Sequence, residues 1–374
     1  MEEKILPKVD ELKDEIINGI LEVVKIPSIK SQKEEDAPFG VGIRDSLLKA
    51  LEISERLGFR TKNLENYIGY AEYGEGEKYI CSIGHLDVVD VGEGWKEHPF
   101  SGYLENGVIY SRGILDNKGP IMSCLYAMYV LKELEVELEL PIRIIFGCDE
   151  ESGEFEDLKY YLKNENPPIM GFTPDCKYPV VYSERGRAIL TIFTDNKYTD
   201  EFFEFLNLYF LNSKNLGERL GIDFEDEEYG KLEFRNYKLQ SDEGKIKFEV
   251  VISYPFGTDC EKIIEKVNEK IEKFSGLNAK ILNKFLPVKF PKENYMIKSL
   301  QKAYEYVTGL DGTPVTTSGG TYAKMMPNIV PFGPSFPGQK NISHNPNEYM
   351  SIQDILTNVK IYAISFYKLA GKKL

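Results

Sequence analysis

The strand-like run at 78–84 ends in Gly84-His85-Leu86-Asp87-Val88-Val89. His85 and Asp87 are two residues apart, so in an extended chain they point the same way, and Asp87 could fix the tautomer of His85 for metal binding. Ile114-Leu115-Asp116-Asn117-Lys118 sets a carboxylate directly ahead of a helix. The apolar run at 142–147 ends in Cys148-Asp149-Glu150-Glu151-Ser152. Three acids at the end of a buried strand are costly unless a cation sits with them. Phe172-Thr173-Pro174-Asp175 adds a carboxylate in a turn, and Ser343-His344-Asn345 adds an imidazole before the C-terminal helix. Each motif alone has an ordinary explanation: a loop histidine, a helix N-cap at Asp116, a solvated acidic turn. Together, two of the three histidines join Asp116, Glu151 and Asp175 in a mixed nitrogen and oxygen donor set. Such a set suits Zn²⁺, with Mn²⁺ or Co²⁺ also matching. The third histidine, His98, lies in Trp95-Lys96-Glu97-His98-Pro99-Phe100 and is given no catalytic role.

The elements that must position these residues read as α/β. The chain has 374 residues, 42% hydrophobic and 28% charged, enough for two domains with full cores and too apolar for a disordered chain. Its net charge of −14 makes nucleic acid and anionic membrane surfaces poor partners. No apolar run approaches the roughly 20 residues of a membrane span, and no signal peptide is visible at the start. Five scattered cysteines without a CxxC pair point to a reduced, cytoplasmic protein.

Helical apolar spacing over 9–25, strand-like runs at 67–73 and 78–84, a hairpin at Asn106-Gly107, a helix at 118–134 and the unbroken strand at 142–147 fill the first part. Between 186 and 288 the order β-α-β-β-α-β is that of a ferredoxin-like unit. The expected layout is an α/β domain at 1–185, an inserted α+β domain at 186–288, and a return to the first domain over 289–374, ending in a helix at 352–370. The loop Thr317-Ser318-Gly319-Gly320-Thr321 is read as opening a short helix, where glycine N–H groups could meet an anion.

In this order the motifs resemble the M20 family of co-catalytic metallopeptidases, most closely its PepV-like dipeptidases. The matching stretches are GHLDVVDVGEGW, GVIYSRGILDNKGP, FGCDEESG, FTPDCKYPVVYSERG, TSGGTYAK and SHNPNEY. The resemblance implies a zinc-peptidase-like catalytic domain with an inserted lid. It implies two divalent ions, one held by His85, Asp116 and Asp175 and the other by Asp116, Glu151 and His344, with Asp116 bridging. It gives Glu150 the role of general base and Asp87 that of orienting His85. Ser318, Gly319 and Gly320 would contact the substrate, a dipeptide or N-acyl amino acid, and the lid would offer a homodimer contact.

Two departures stand out. Where the family carries an arginine before Tyr-Pro, this chain has Ser253, and 186–288 contains no histidine to reach the oxyanion. The insert is also short. A second reading, from a different class, is therefore a metal-binding relative whose peptidase activity is lost or much reduced and which serves as a binding or regulatory module. Glu150 counts against it, since a structural metal site has no use for a base.

Overall fold

The computed structural model describes residues 1–214, 216–242 and 244–371. It forms two compact units: Met1–Tyr182 with Pro291–Val315 and Thr321–Leu374, and Ser183–Phe290 with Thr316–Gly320.

The first unit is built on a six-stranded mixed sheet. Its order is Arg60–Leu64, Ile68–Tyr73, Ile142–Gly147, Ile80–His85, Met170–Thr173, Ile329–Pro331. The last four run parallel to one another, and the first two pair antiparallel at one edge. Ile80–His85 is buried at every position, as a strand covered on both faces must be. The helix Lys118–Glu133 packs on it and against the C-terminal helix Ile352–Ala370. From Lys118 to Leu131 that helix is buried at all but one residue, so its sequence carries little amphipathic contrast. The periodicity over 9–25 resolves into two helices, Glu2–Glu11 and Lys13–Val24, broken at Leu12. The buried stripe Ile5, Val9, Ile16, Ile20 runs through the break, which is why the spacing did not reveal it. At the hairpin, Asn106 (φ 50°) and Gly107 (φ 77°) both take the left-handed conformation that a tight two-residue turn requires.

The second unit is a four-stranded antiparallel sheet ordered Glu233–Asp242, Lys245–Tyr254, Gly186–Asp195, Asn278–Phe285. In chain order that is second, third, first, fourth, the arrangement of a ferredoxin-like β-α-β-β-α-β unit. Ala188, Leu190, Ile192, Val250 and Ile252 alternate inward and pack with Phe202, Phe205, Ile263 and Val267 from two helices, Thr199–Leu206 and Cys260–Ile271. The helix Thr199–Leu206 runs on into a π-turn over Asn207–Leu211.

Among the described residues no helix is long and apolar enough to cross a membrane, and all five cysteines are free thiols.

Candidate metal centre

Three parallel strands of the first unit deliver the acidic loops to one edge. His85 and Gly147 are register partners, so the chains leaving them emerge side by side, and Thr173 ends the next strand before Pro174 and Asp175. Carboxyl ends of parallel strands are where open α/β sheets place their sites. Asp116 arrives from the loop ahead of Lys118–Glu133. It is not the helix cap: that position is Asn117, whose side chain makes no capping bond. Instead Asn117 Nδ2 donates to the Pro174 carbonyl at 2.6 Å and its Oδ1 accepts the His85 N–H at 3.3 Å. Asn117 thus ties the Asp116, His85 and Asp175 segments together. Gly84 makes room for it, since a Cβ there would lie 2.2 Å from Asn117 Oδ1.

Two donor groups result, His85 with Asp116 and Asp175, and Asp116 with Glu151 and His344, the donor atoms of each lying within 4.8 Å of one another. His85 Nε2 is 3.1 Å from Asp116 Oδ1 and 3.7 Å from Asp175 Oδ2. His344 Nε2 is 3.1 Å from Asp116 Oδ2 and 3.2 Å from Glu151 Oε1. Each oxygen of Asp116 therefore faces a different histidine. His85 is fully buried, whereas His344 is 54% exposed and held in a left-handed conformation (φ 62°). His85 Nδ1 meets the Asp87 carbonyl at 2.9 Å, closer than the Asp87 carboxylate at 3.5 Å. Both oxygen groups of Asp87 face Nδ1 and so favour the tautomer with Nε2 turned to the acids.

The charges explain why the cluster suits cations. Burial pushes the Asp116 carboxyl up, but hydrogen bonds with His344 and His85 outweigh it and hold it well below the carboxylate range. Burial lowers His85, yet Asp116 and Asp87 raise it well above an ordinary imidazole. His344 is lifted to about 11 by its hydrogen bonds to Asp116 and Glu151. Burial, then the facing Asp175 carboxylate, lifts Glu150 well above its ordinary value. Without metal, the cluster holds protons on its imidazoles where divalent ions would supply the positive charge. Glu151 Oε1 is buried, with His344 Nε2 3.2 Å away, so the oxygen is placed for a cation shared with that imidazole.

Backbone anchors fix these loops. Asp87 accepts the N–H groups of Glu150 and Glu151 at 3.2 and 3.0 Å. Asp157, fully buried, accepts those of Cys148 and Asp149 at 2.6 and 3.1 Å. The Tyr322 hydroxyl donates to the same carboxylate. Asn117, Asp157 and Tyr322 were not singled out from the sequence, where an amide or acid without a metal-like spacing carries no signal. His98 is exposed, and its Nδ1 accepts the Phe100 N–H at 3.2 Å.

Ser318, Gly319 and Gly320 group with the second unit. Ser318 Oγ accepts from Arg235 Nη2 at 2.8 Å, and Arg235 is also paired with Glu233. Ser253 Oγ donates to the Ser318 carbonyl at 3.4 Å. The short helix expected after this loop is a single 3₁₀ turn, Tyr322–Lys324, too short for a dipole that would favour an anion.

A mixed sheet flanked by helices, with carboxylates and two imidazoles gathered at its strand ends, defines a metallopeptidase scaffold. The chain belongs to peptidase family M20/M25/M40, whose model matches residues 81–367, and it is an enzyme of that class. It is 29% identical to the putative dipeptidase YtjP of Bacillus subtilis, covering 96% of this chain and 98% of the relative. It is 28% identical to the Beta-Ala-Xaa dipeptidase of Lactobacillus delbrueckii subsp. lactis, covering 96% of each. These alignments run over 457 and 456 positions, so the relatives carry residues that this chain of 374 lacks. Human carnosine dipeptidase 1 shares the fold at a TM-score of 0.79, with 17% identity over 98% of each chain. The YXEP protein of Bacillus subtilis, described as a dinuclear metal binding peptidase of the M20 family, superposes at a TM-score of 0.65, with 11% identity over 95% of this chain and 98% of that one.

Proposed function

We propose that the chain is a di-metal hydrolase that cleaves the amide bond of a dipeptide or N-acyl amino acid. The observation that carries the reading is Asp116, one carboxylate with an oxygen 3.1 Å from each of two histidines, each histidine beside a further acid. His85, Asp116 and Asp175 would hold one divalent ion, and Asp116, Glu151 and His344 the other. Zinc is the ion this donor set favours, ahead of manganese and cobalt. When bound, such a pair supplies Lewis acidity that lowers the pKa of an adjacent water toward about 7 and polarises an amide carbonyl. Glu150, beside the cluster and outside both donor groups, takes the proton of the attacking water and passes it to the leaving nitrogen. Its partner Glu151 is committed to His344, so the two neighbouring acids divide the work. Asp87 holds both their N–H groups and so keeps the division in place.

The names of the relatives favour dipeptides. The serine at 253, where the resemblance expects an arginine, leaves N-acyl amino acids open as substrates. Five free thiols agree with a reduced compartment. Pairing of two copies through an edge strand or a helix of the inserted unit belongs to this reading, and a monomer in sedimentation at micromolar concentration would remove it.

The test is metal content by elemental analysis with hydrolysis of a dipeptide and N-acyl amino acid panel, on the wild type and Glu150→Gln. Two metals per chain, with turnover lost in the variant and metal retained, is the expected result. A chain that takes up no metal after reconstitution would sink the reading. Two metals without turnover on any substrate would favour a binding-only protein.

A further inference from the structure

Arg112 is a fully buried arginine, 1% exposed, in a loop of the first unit. Its Nη1 donates to Glu348 Oε2 at 2.7 Å and to the Asn345 carbonyl at 3.4 Å. Its Nη2 donates to the carbonyls of Asp90 and Val91 at 3.1 and 3.3 Å. The guanidinium lies over the Trp95 ring, 5.4 Å from its centroid. Glu348 is as deeply buried, and its other oxygen accepts two consecutive backbone N–H groups, Leu115 at 2.9 Å and Asp116 at 3.1 Å. The Glu348 carbonyl in turn accepts the Ser111 N–H at 3.1 Å.

These bonds cross between two loops. Arg112 and Asp116 stand four residues apart on one, and His344 and Glu348 four apart on the other. Arg112 grips the residue next to His344, while Glu348 grips the backbone of Asp116. A buried ion pair is poor evidence of net stability, and its better-attested use is to specify one arrangement among several. Here the arrangement specified is the approach of His344 to Asp116.

We propose that Arg112 and Glu348 are positioning residues that set the Asp116/Glu151/His344 donor group. The inference rests on the metal-binding reading above. The pair matters less for His85, Asp116 and Asp175, because His85 is fixed by its strand and its register with Gly147, and Asp175 follows a strand directly. His344 has no such support. It sits in an exposed loop in a left-handed conformation; Asn347 ties that loop to Lys96 and Gly94, and the crossed bonds tie it to the loop of Asp116.

The experiment is stepwise titration of the metal-free full chain with Co²⁺, followed by visible absorption and calorimetry, for the wild type, Glu348→Gln and Arg112→Lys. Glu348→Gln keeps an oxygen for the two N–H groups but removes the charge facing Arg112. Arg112→Lys keeps the charge but cannot span the same four acceptors. Losses at groups that orient metal ligands run about 10–100-fold in affinity. The expected result is one step weakened by that factor in both variants while the other stays at the wild-type value, with Arg112→Lys the milder. Adding His344→Ala to the comparison identifies the weakened step, since that variant should lose the same one. Unchanged binding at both steps, or equal weakening of both, in a variant whose circular dichroism matches the wild type would overturn the proposal. Wild-type chain that binds no Co²⁺ would instead sink the metal-binding reading itself.

Discussion

The carboxylate of Asp87 is fastened to the backbone of Glu151, its Oδ2 accepting that N–H at 3.0 Å while Oδ1 accepts the N–H of Glu150 at 3.2 Å. One buried side chain thus fixes the two residues proposed to bind metal and to move a proton, and it does so while sitting two residues from His85. Replacing Asp87 by Asn leaves one oxygen for two donors and turns an amide N–H₂ toward the other. Metal affinity should fall about 10–100-fold, and turnover at saturating metal should fall as well. Titration with Zn²⁺ beside activity at excess Zn²⁺ checks both. A variant that regains full turnover once metal is saturating would show that Asp87 does not place Glu150.

Much of this was legible in the sequence, for identifiable reasons. Imidazoles and carboxylates at the ends of apolar strands mark themselves, because burial makes them costly without a partner. In the second unit, Ile246, Phe248, Val250 and Ile252 stand at every other position of one strand and are all buried, so a two-residue apolar alternation is readable directly from the residues. What stayed hidden acts through the backbone. Asn117 and Glu348 accept or donate across loops that lie far apart in the chain, 57 residues for Asn117 and Pro174 and 232 for Glu348 and Asp116, and Asp157 is joined to Tyr322 across 165. No local spacing records such a bond. The break at Leu12 was hidden for the opposite reason, since the apolar stripe continues straight across it. The short helix expected after the glycine loop is a single 3₁₀ turn, because a glycine-rich loop fixes where a helix could start and not how far it runs.

Metal uptake should release protons. His344 is lifted to about 11 by Asp116 and Glu151, so in the metal-free chain it is an imidazolium at neutral pH, and a ligating nitrogen must lose that proton. Calorimetric titration near pH 7 in two buffers of different ionisation heat should report about one to two protons released per chain. Affinity should accordingly rise with pH. Heats that do not depend on the buffer would contradict the protonated state assigned to His344.

The acidic loop should loosen when Tyr322 loses its hydroxyl. Asp157 is fully buried, and burial raises its carboxyl to about 7 in spite of the Tyr322 hydrogen bond. That carboxylate also accepts the N–H groups of Cys148 and Asp149. Tyr322→Phe removes one donor from a buried acceptor, a change that costs about 1–3 kcal/mol. Denaturant unfolding should show that loss, and hydrogen exchange should show faster opening at Cys148 and Asp149. Exchange that speeds up everywhere except this loop would argue against the anchoring role.

Acid should unfold the chain partly through Glu165. Its Oε1 accepts from Lys62 Nζ at 2.6 Å and its Oε2 from Arg143 Nη1 at 2.8 Å. Arg143 is itself stacked between Tyr70 and Tyr79, 4.2 and 4.1 Å from their ring centroids, and also pairs with Glu72. Burial pushes the Glu165 carboxyl up, but the bonds from Lys62 and Arg143 outweigh it and hold it below its ordinary 4.5. The folded chain then releases this proton more readily than the unfolded chain. The stability it contributes is complete above pH 4.5 and is lost as pH falls through the lower, folded value. Glu165→Gln should therefore lower the melting temperature at neutral pH, and the gap from wild type should narrow steadily below pH 4.5. Arg143, 12% exposed, keeps Glu72 in the variant, so the loss should stay short of that of an unpaired buried charge. A gap that stays constant down to about pH 3 would mean that Glu165 titrates alike in the folded and unfolded chain, and that its hydrogen bonds add nothing that depends on charge.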